Sequence, residues 1–258
     1  MNLFNVHKSI YAISEPFNIG NRNNLLEMGY EGICDYEVSD FRELDTEISK
    51  IFFEFNLVKH VWAPSGFPFV EEHPGYAFNS LVSKNEYLCT KFDYVIFLNR
   101  RNILKRLVSS FMSMQTGIWD SYQTNTGNRP ENFKFEPLDS EQIGWHLNHE
   151  RFYVEYFKSI LINKKIEFVE VFQEDLFNRN LHTSEKIELF LKLTDFLKLP
   201  RNYCHDQLTT IRDYFNSKKH QQNSLDSYNK VPNINEIEET FGSDETGWLF
   251  KKEEAIKQ

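Results

Sequence analysis

Residues Asp93–Trp119 read DYVIFLNRRNILKRLVSSFMSMQTGIW, and this stretch decides the fold class. Asp93–Leu98 is an unbroken run of β-favouring side chains, which predicts a strand covered on both faces, as in a parallel sheet. The run stops at Asn99, Arg100 and Arg101 fall on the turn, and Asn102 stands where it caps a following helix over Ile103–Met114. Ser109 comes eight residues after Arg101, about two turns into that helix. A turn arginine and a helical hydroxyl can hold one phosphate together, the arginine by a forked, charge-assisted contact and the serine by a hydrogen bond. The ordinary alternative is a surface arginine pair ahead of an amphipathic helix, and spacing alone does not separate the two.

Working outward, three further apolar runs read as strands: Ser9–Ile13 (SIYAI), Leu57–Trp62 (LVKHVW) and Ile166–Phe172 (IEFVEVF). Helical periodicity fills Asp40–Phe55, Glu141–Leu161 and Glu185–Leu197. Strands alternating with helices predict βαβ units and an α/β fold, a parallel sheet flanked by helices. No internal repeat or low-complexity linker divides the chain, so a single domain over residues 1–258 is expected, with an irregular carboxyl segment at 216–258. Ala63–Tyr76 is rich in proline and glycine, while Tyr122–Pro137 reads as a polar loop and Asn216–Asn235 as a polar, irregular stretch. Ligands of open α/β sheets sit beyond the carboxyl ends of the strands, so the segments leaving the first three strands are the places to look for chemistry.

Composition bounds the function. The chain has 258 residues, 38 acidic against 29 basic side chains, and a formal charge of −9. That balance argues against a general nucleic-acid or membrane-surface binder. Lys164-Lys165 and Lys251-Lys252 are too short for basic patches. Three widely spaced cysteines, Cys34, Cys89 and Cys204, form neither a disulfide framework nor a zinc motif. The amino terminus lacks the apolar core of a signal peptide, and no run reaches the length of about 18 to 20 apolar residues needed to span a bilayer. A reduced, cytoplasmic setting is expected. His146 and His149 are three apart on an expected helix, but spacing offers no third ligand, and no metal is expected. No serine elbow is present.

The ordered combination of strand, Arg101-Asn102, Ser109 and Gln115-Thr116-Gly117-Ile118-Trp119 resembles the sulfotransferase family. The last five residues look like the Q-T-G-x-W stretch of the bacterial carbohydrate, nodulation-type members. Gln173-Glu174-Asp175-Leu176 is similar to the family's Y-E-D-L turn, with Gln in place of Tyr, and Lys218–Phe250 looks like the family's carboxyl segment. The resemblance implies a P-loop-NTPase-like sheet and the donor co-substrate 3′-phosphoadenosine-5′-phosphosulfate. Arg101 and Ser109, helped by Arg100, would hold its 3′-phosphate. It implies a hydroxyl acceptor, small-molecule or glycan, and a glutamate base after the first strand. Glu15 takes that place, where a carboxylate within reach of the acceptor oxygen is required. The other reading of Glu15 fixes the Pro16 turn. Lys59 and His60, near the end of the second strand, are candidates for shaping the acceptor pocket or stabilising sulfuryl charge; a half-exposed strand pair is the alternative.

One family element is missing. The loop that wraps the 5′-phosphosulfate with backbone N–H groups has no counterpart, and none of the ten glycines is arranged as such a cradle. The sequence leaves three explanations: an N-terminally truncated relative, a degenerate non-catalytic binding module, or a divergent enzyme with its phosphate contacts elsewhere. Arg22 within Asn18–Asn24, and Lys218 with Lys219, are the candidate substitutes, with a solvated surface as the alternative for both.

Overall fold

The computed structural model describes residues 4–14, 41–59, 86–118, 133–177, 180–216 and 225–250. Its ordered elements are β1 (Ala12–Ser14), α1 (Phe41–Glu54), β2 (Leu57–Lys59), β3 (Tyr94–Asn99), α2 (Ile103–Thr116), α3 (Ser140–Lys164), β4 (Glu167–Phe172), α4 (Gln173–Leu176), α5 (Thr183–Phe196), α6 (His205–Asn216), α7 (Leu225–Tyr228) and α8 (Ile234–Phe241). The protein is α/β, with small parallel sheets flanked by helices. All four strands and the four helices expected from periodicity fall on observed elements. α6 and α8 extend order into regions where the sequence reading had placed none.

Contacts gather into two compact units. The first comprises Met1–Ile96, Tyr153–Val169 and His182–Phe215. Here β1 and β2 pair in parallel with Ala12 opposite Leu57, Ile13 opposite Val58 and Ser14 opposite Lys59. Asn56 locks the pair's entry: its Oδ1 accepts from the Tyr11 N–H at 2.9 Å and its Nδ2 donates to the Ser9 carbonyl at 2.6 Å. Ile48 and Ile51 of α1, one turn apart, are fully buried, as the helical stripe requires. His7 is buried as well; its Nε2 bonds the Pro200 carbonyl at 3.0 Å and its Nδ1 accepts from the Ser9 N–H at 3.1 Å. Those partners assign the proton to Nε2.

The second unit comprises Phe97–Phe152, Glu170–Leu181 and Asn216–Gln258. Its core joins Leu104, Val108, Phe111 and Met112 of α2 to Tyr228, Val231, Ile234 and Ile237 of the carboxyl segment. The spacing of the first four is the apolar stripe of an amphipathic helix. The latter four recur every third residue, and this short period ties α7, the turn after it and α8 into one packed ribbon. Residues 133–137, the described end of the expected polar loop, bury Phe135 in the same core, and Leu138 follows it there. β3 corrects one expectation: only Phe97 is fully buried and Leu98 is 59% exposed. The apolar run there reflects β propensity rather than cover on both faces.

The cysteines follow from this packing. Cys89 is buried, and desolvation pushes its thiol up to about 12, whereas Cys204 is exposed. A haloacetamide at mild alkaline pH is expected to alkylate Cys204 in the native protein and Cys89 only after denaturation, read by peptide mass mapping. Equal labelling of the two in the native state would contradict the burial of Cys89.

Candidate functional site

The junction between β3 and α2 is built from three directions. β3 and β4 are sheet neighbours, so the turns that follow them meet. Arg101 leaves β3 and Asp175 lies in α4, immediately after β4. Their side chains form a two-pronged pair, Nη1 to Oδ1 at 2.6 Å and Nη2 to Oδ2 at 2.8 Å. The guanidinium also lies over the Phe172 ring, 4.4 Å from its centroid. Glu174 Oε1 accepts the Arg101 N–H at 3.0 Å and the Asn102 N–H at 3.3 Å, so both acidic residues of the Q-E-D-L turn hold the arginine turn.

The third direction is the carboxyl segment. Asn102 Oδ1 caps α2 by accepting from the Lys105 N–H at 2.9 Å, while its Nδ2 donates to the Trp248 carbonyl at 2.8 Å. The Leu104 N–H, one of the first-turn donors that a helix leaves unpaired, bonds the Thr246 carbonyl at 2.9 Å. Gly247 sits between these contacts at φ +90°, and a Cβ there would lie 2.4 Å from the Asn102 side chain.

Within this frame Ser109 faces inward. Its Oγ is 2.9 Å from the hydroxyl of Tyr228, whose ring is 2% exposed. Burial raises the Tyr228 phenol, against the opposing influences of the Ser109 hydrogen bond and the Arg100 charge, so it remains a protonated donor at neutral pH. Arg100, the other residue of the arginine pair, is exposed. Desolvation lowers its pKa, Glu174 and Tyr228 act in the opposite sense, and Arg106 adds to the lowering. Arg100 makes no ion pair or side-chain hydrogen bond among the described residues.

The structure places Arg100 and Arg101 on the turn that opens α2 and Ser109 on that helix, with Arg101 already engaged by Asp175. Lys59 ends β2 in the first unit, half-buried opposite Ser14. Glu15, His60, Arg22, Lys218 and Lys219 lie outside the described residues. The partners of the arginine turn, Asp175, Glu174 and Tyr228, entered the sequence reading only as echoes of a family pattern. Their contacts with Arg101 and Ser109 span 74 and 119 residues, beyond the reach of periodicity. The Q-T-G stretch proves architectural. Gln115 makes paired bonds with the Glu136 backbone at 3.0 and 2.9 Å, Thr116 bonds the Met112 carbonyl at 3.0 Å, and Gly117 ends α2 at φ +68°.

His146 and His149 are likewise absorbed by packing. His149 Nδ1 bonds the Trp145 carbonyl at 2.7 Å and its ring stacks on Trp145 at 4.4 Å. His146 packs edge-on against Phe111 and Trp145, its buried Nδ1 without a hydrogen-bond partner among the described residues. No group of three or more metal-ligating side chains occurs among the described residues. No helix among them is long and apolar enough to cross a membrane.

No family model, curated protein or solved structure matches this chain.

Two outcomes follow from this packing. Gly247→Ala is expected to destabilise the protein by roughly 1–3 kcal/mol, through its positive φ and its clash with Asn102. Chemical denaturation measures it, and an unchanged midpoint would mean that the turn does not grip Asn102. The second concerns pH. Desolvation first, then Arg106 and His149, holds the His146 imidazole below its ordinary range, so the fold prefers it neutral. Its contribution is complete above the unfolded value of about 6.5 and is lost as pH falls through and below that value. Thermal melts of His146→Phe are expected to lose less Tm than wild type between pH 7.5 and 5; parallel curves would contradict the assignment.

Proposed function

We propose that this chain is a sulfotransferase-like protein that binds a phosphoadenosine phosphosulfate donor and transfers its sulfuryl group to a hydroxyl of a carbohydrate-type acceptor. The observation that carries the reading is the Ser109–Tyr228 hydroxyl pair on the helix that opens from the arginine turn at the carboxyl end of β3. Hydroxyl donors on a helix that follows an arginine turn suit a phosphate. Such a place is where α/β folds bind their ligands. A P-loop-NTPase-like sheet is the finer fold this reading entails.

The donor would supply the sulfuryl group. In this chain Ser109, Tyr228 and the turn would hold its phosphate; the sequence resemblance alone gives Glu15 the role of base and Lys59 and His60 the acceptor side.

A second reading, a non-catalytic nucleotide- or glycan-binding module of the same fold, is favoured by one observation. Arg101, the arginine of the resembled motif, is occupied by Asp175. Calorimetric titration with 3′,5′-bisphosphoadenosine tests the feature common to both nucleotide readings. Heat with a dissociation constant below about 1 mM is expected, and silence at that concentration would refute donor binding. Incubation with sulfur-labelled donor and a panel of oligosaccharides then separates them. Label transferred to a glycan supports the enzyme; nucleotide binding without transfer supports the binding module.

A further inference from the structure

We propose that Tyr228 is a positioning residue for Ser109: its phenol donates to Ser109 Oγ and leaves the serine's own proton for an oxygen of the bound phosphate. This role rests on the reading of the β3–α2 junction as a phosphate site, and it adds to that site a residue of the carboxyl segment.

Two hydroxyls carry two protons, and one hydrogen bond of 2.9 Å joins Ser109 Oγ to the Tyr228 hydroxyl. Neither hydroxyl has a second partner among the described residues, so the bond uses one proton and leaves the other without an acceptor. Burial decides which proton is left. The Tyr228 ring is 2% exposed and packs in the core that holds Leu104, Val108 and Met112 of α2. A buried phenol needs an acceptor, and Ser109 Oγ is the one at hand. Ser109 is only half-buried, so its own proton is the one a ligand can reach.

The direction of the hydroxyl sets Ser109 apart. Serine and threonine inside a helix often bond back to a carbonyl three or four residues earlier. Thr46, Thr116, Ser159, Thr194 and Thr210 do so here, at 2.6 to 3.0 Å. Ser109 makes no such bond among the described residues; its hydroxyl meets the tyrosine instead, and its proton is not taken up by its own helix. A hydroxyl that accepts one hydrogen bond donates the next more strongly, which suits an anionic oxygen. Because packing already fixes the Tyr228 ring, no side-chain freedom is lost there when the ligand arrives.

The test is a double-mutant cycle in the full chain, with 3′,5′-bisphosphoadenosine titrated by calorimetry and thermal melts run in parallel. Ser109→Ala is expected to weaken binding about tenfold or more, and Tyr228→Phe about three- to tenfold. In the Ser109→Ala background, Tyr228→Phe is expected to cost no further affinity, because the phenol acts on the ligand only through the serine. A tyrosine with a merely structural role would lower affinity by the same factor in both backgrounds. Equal losses in the two backgrounds would therefore overturn the role, as would wild-type affinity in either single variant. If Tyr228→Phe alone does not fold, Ser109→Ala is compared with the double variant, which strands no buried donor. Equal affinities of those two uphold the role, and weaker binding by the double variant overturns it. Silence of the wild-type protein toward bisphosphoadenosine refutes the phosphate site and the role together, whereas wild-type binding with an additive cycle refutes the role alone.

Discussion

The second unit depends on the clasp between two turns, Arg101 held by Asp175 in a two-pronged pair and the backbone of Arg101 and Asn102 held by Glu174. A sheet hydrogen-bonds its strands along their length but leaves the exits free to diverge. Here two consecutive acidic residues after β4 capture two consecutive residues after β3. Their division is economical: one carboxylate takes the side chain and the other the backbone. Because about a third to a half of each charged side chain remains in contact with solvent, the energetic worth of the pair is modest. Its effect on direction is larger, since a planar fork fixes orientation as a point charge does not. The heading of α2, and with it the position of Ser109, follows from that constraint.

The same turn is gripped from the other side by the chain's carboxyl segment. Asn102 serves two masters, capping Lys105 with its oxygen and reaching the Trp248 carbonyl with its nitrogen. Glu238 of α8 accepts the Leu249 N–H at 2.7 Å and so holds the segment's own backbone in place. The hydroxyl of Tyr228 reaches Ser109 through this arrangement. An α/β junction that by itself offers one helix and one turn thereby acquires a donor from a segment more than a hundred residues away.

Local physics made the frame legible in the sequence. β3 and α2 were readable because a β-rich run, a capping asparagine and a 3–4 apolar spacing act within a few residues of one another. The ends of β1, β2 and β4 were legible to within a few residues for the same reason. α8 was not, since its eight residues carry too few turns for a helical stripe, and its apolar side chains continue the three-residue spacing begun at Tyr228. At the site, the spacing of Arg101 and Ser109 singled out the β3–α2 junction but could not show what Arg101 meets there. Whether an arginine is free for a ligand depends on what lies across from it. Asp175 stands 74 positions further along the chain, where no periodic signal reaches. The Q-T-G stretch, read as part of a family resemblance, also serves at Gln115, Thr116 and Gly117 in capping and docking.

The buried imidazole of His7 carries a consequence for the order in which the molecule can be made. Its partner, the Pro200 carbonyl, is 193 residues downstream, and Gln207 reaches back to the Val6 carbonyl over 201. The first unit is assembled from three separated stretches and closes only with residues up to Phe215. On a ribosome, the segment that starts this unit must therefore wait for its last partners until residues near Phe215 have been synthesised. Long-range closure of this kind slows folding and prolongs the exposure of apolar surface. The segment around His7 is thus made well before the residues that secure it.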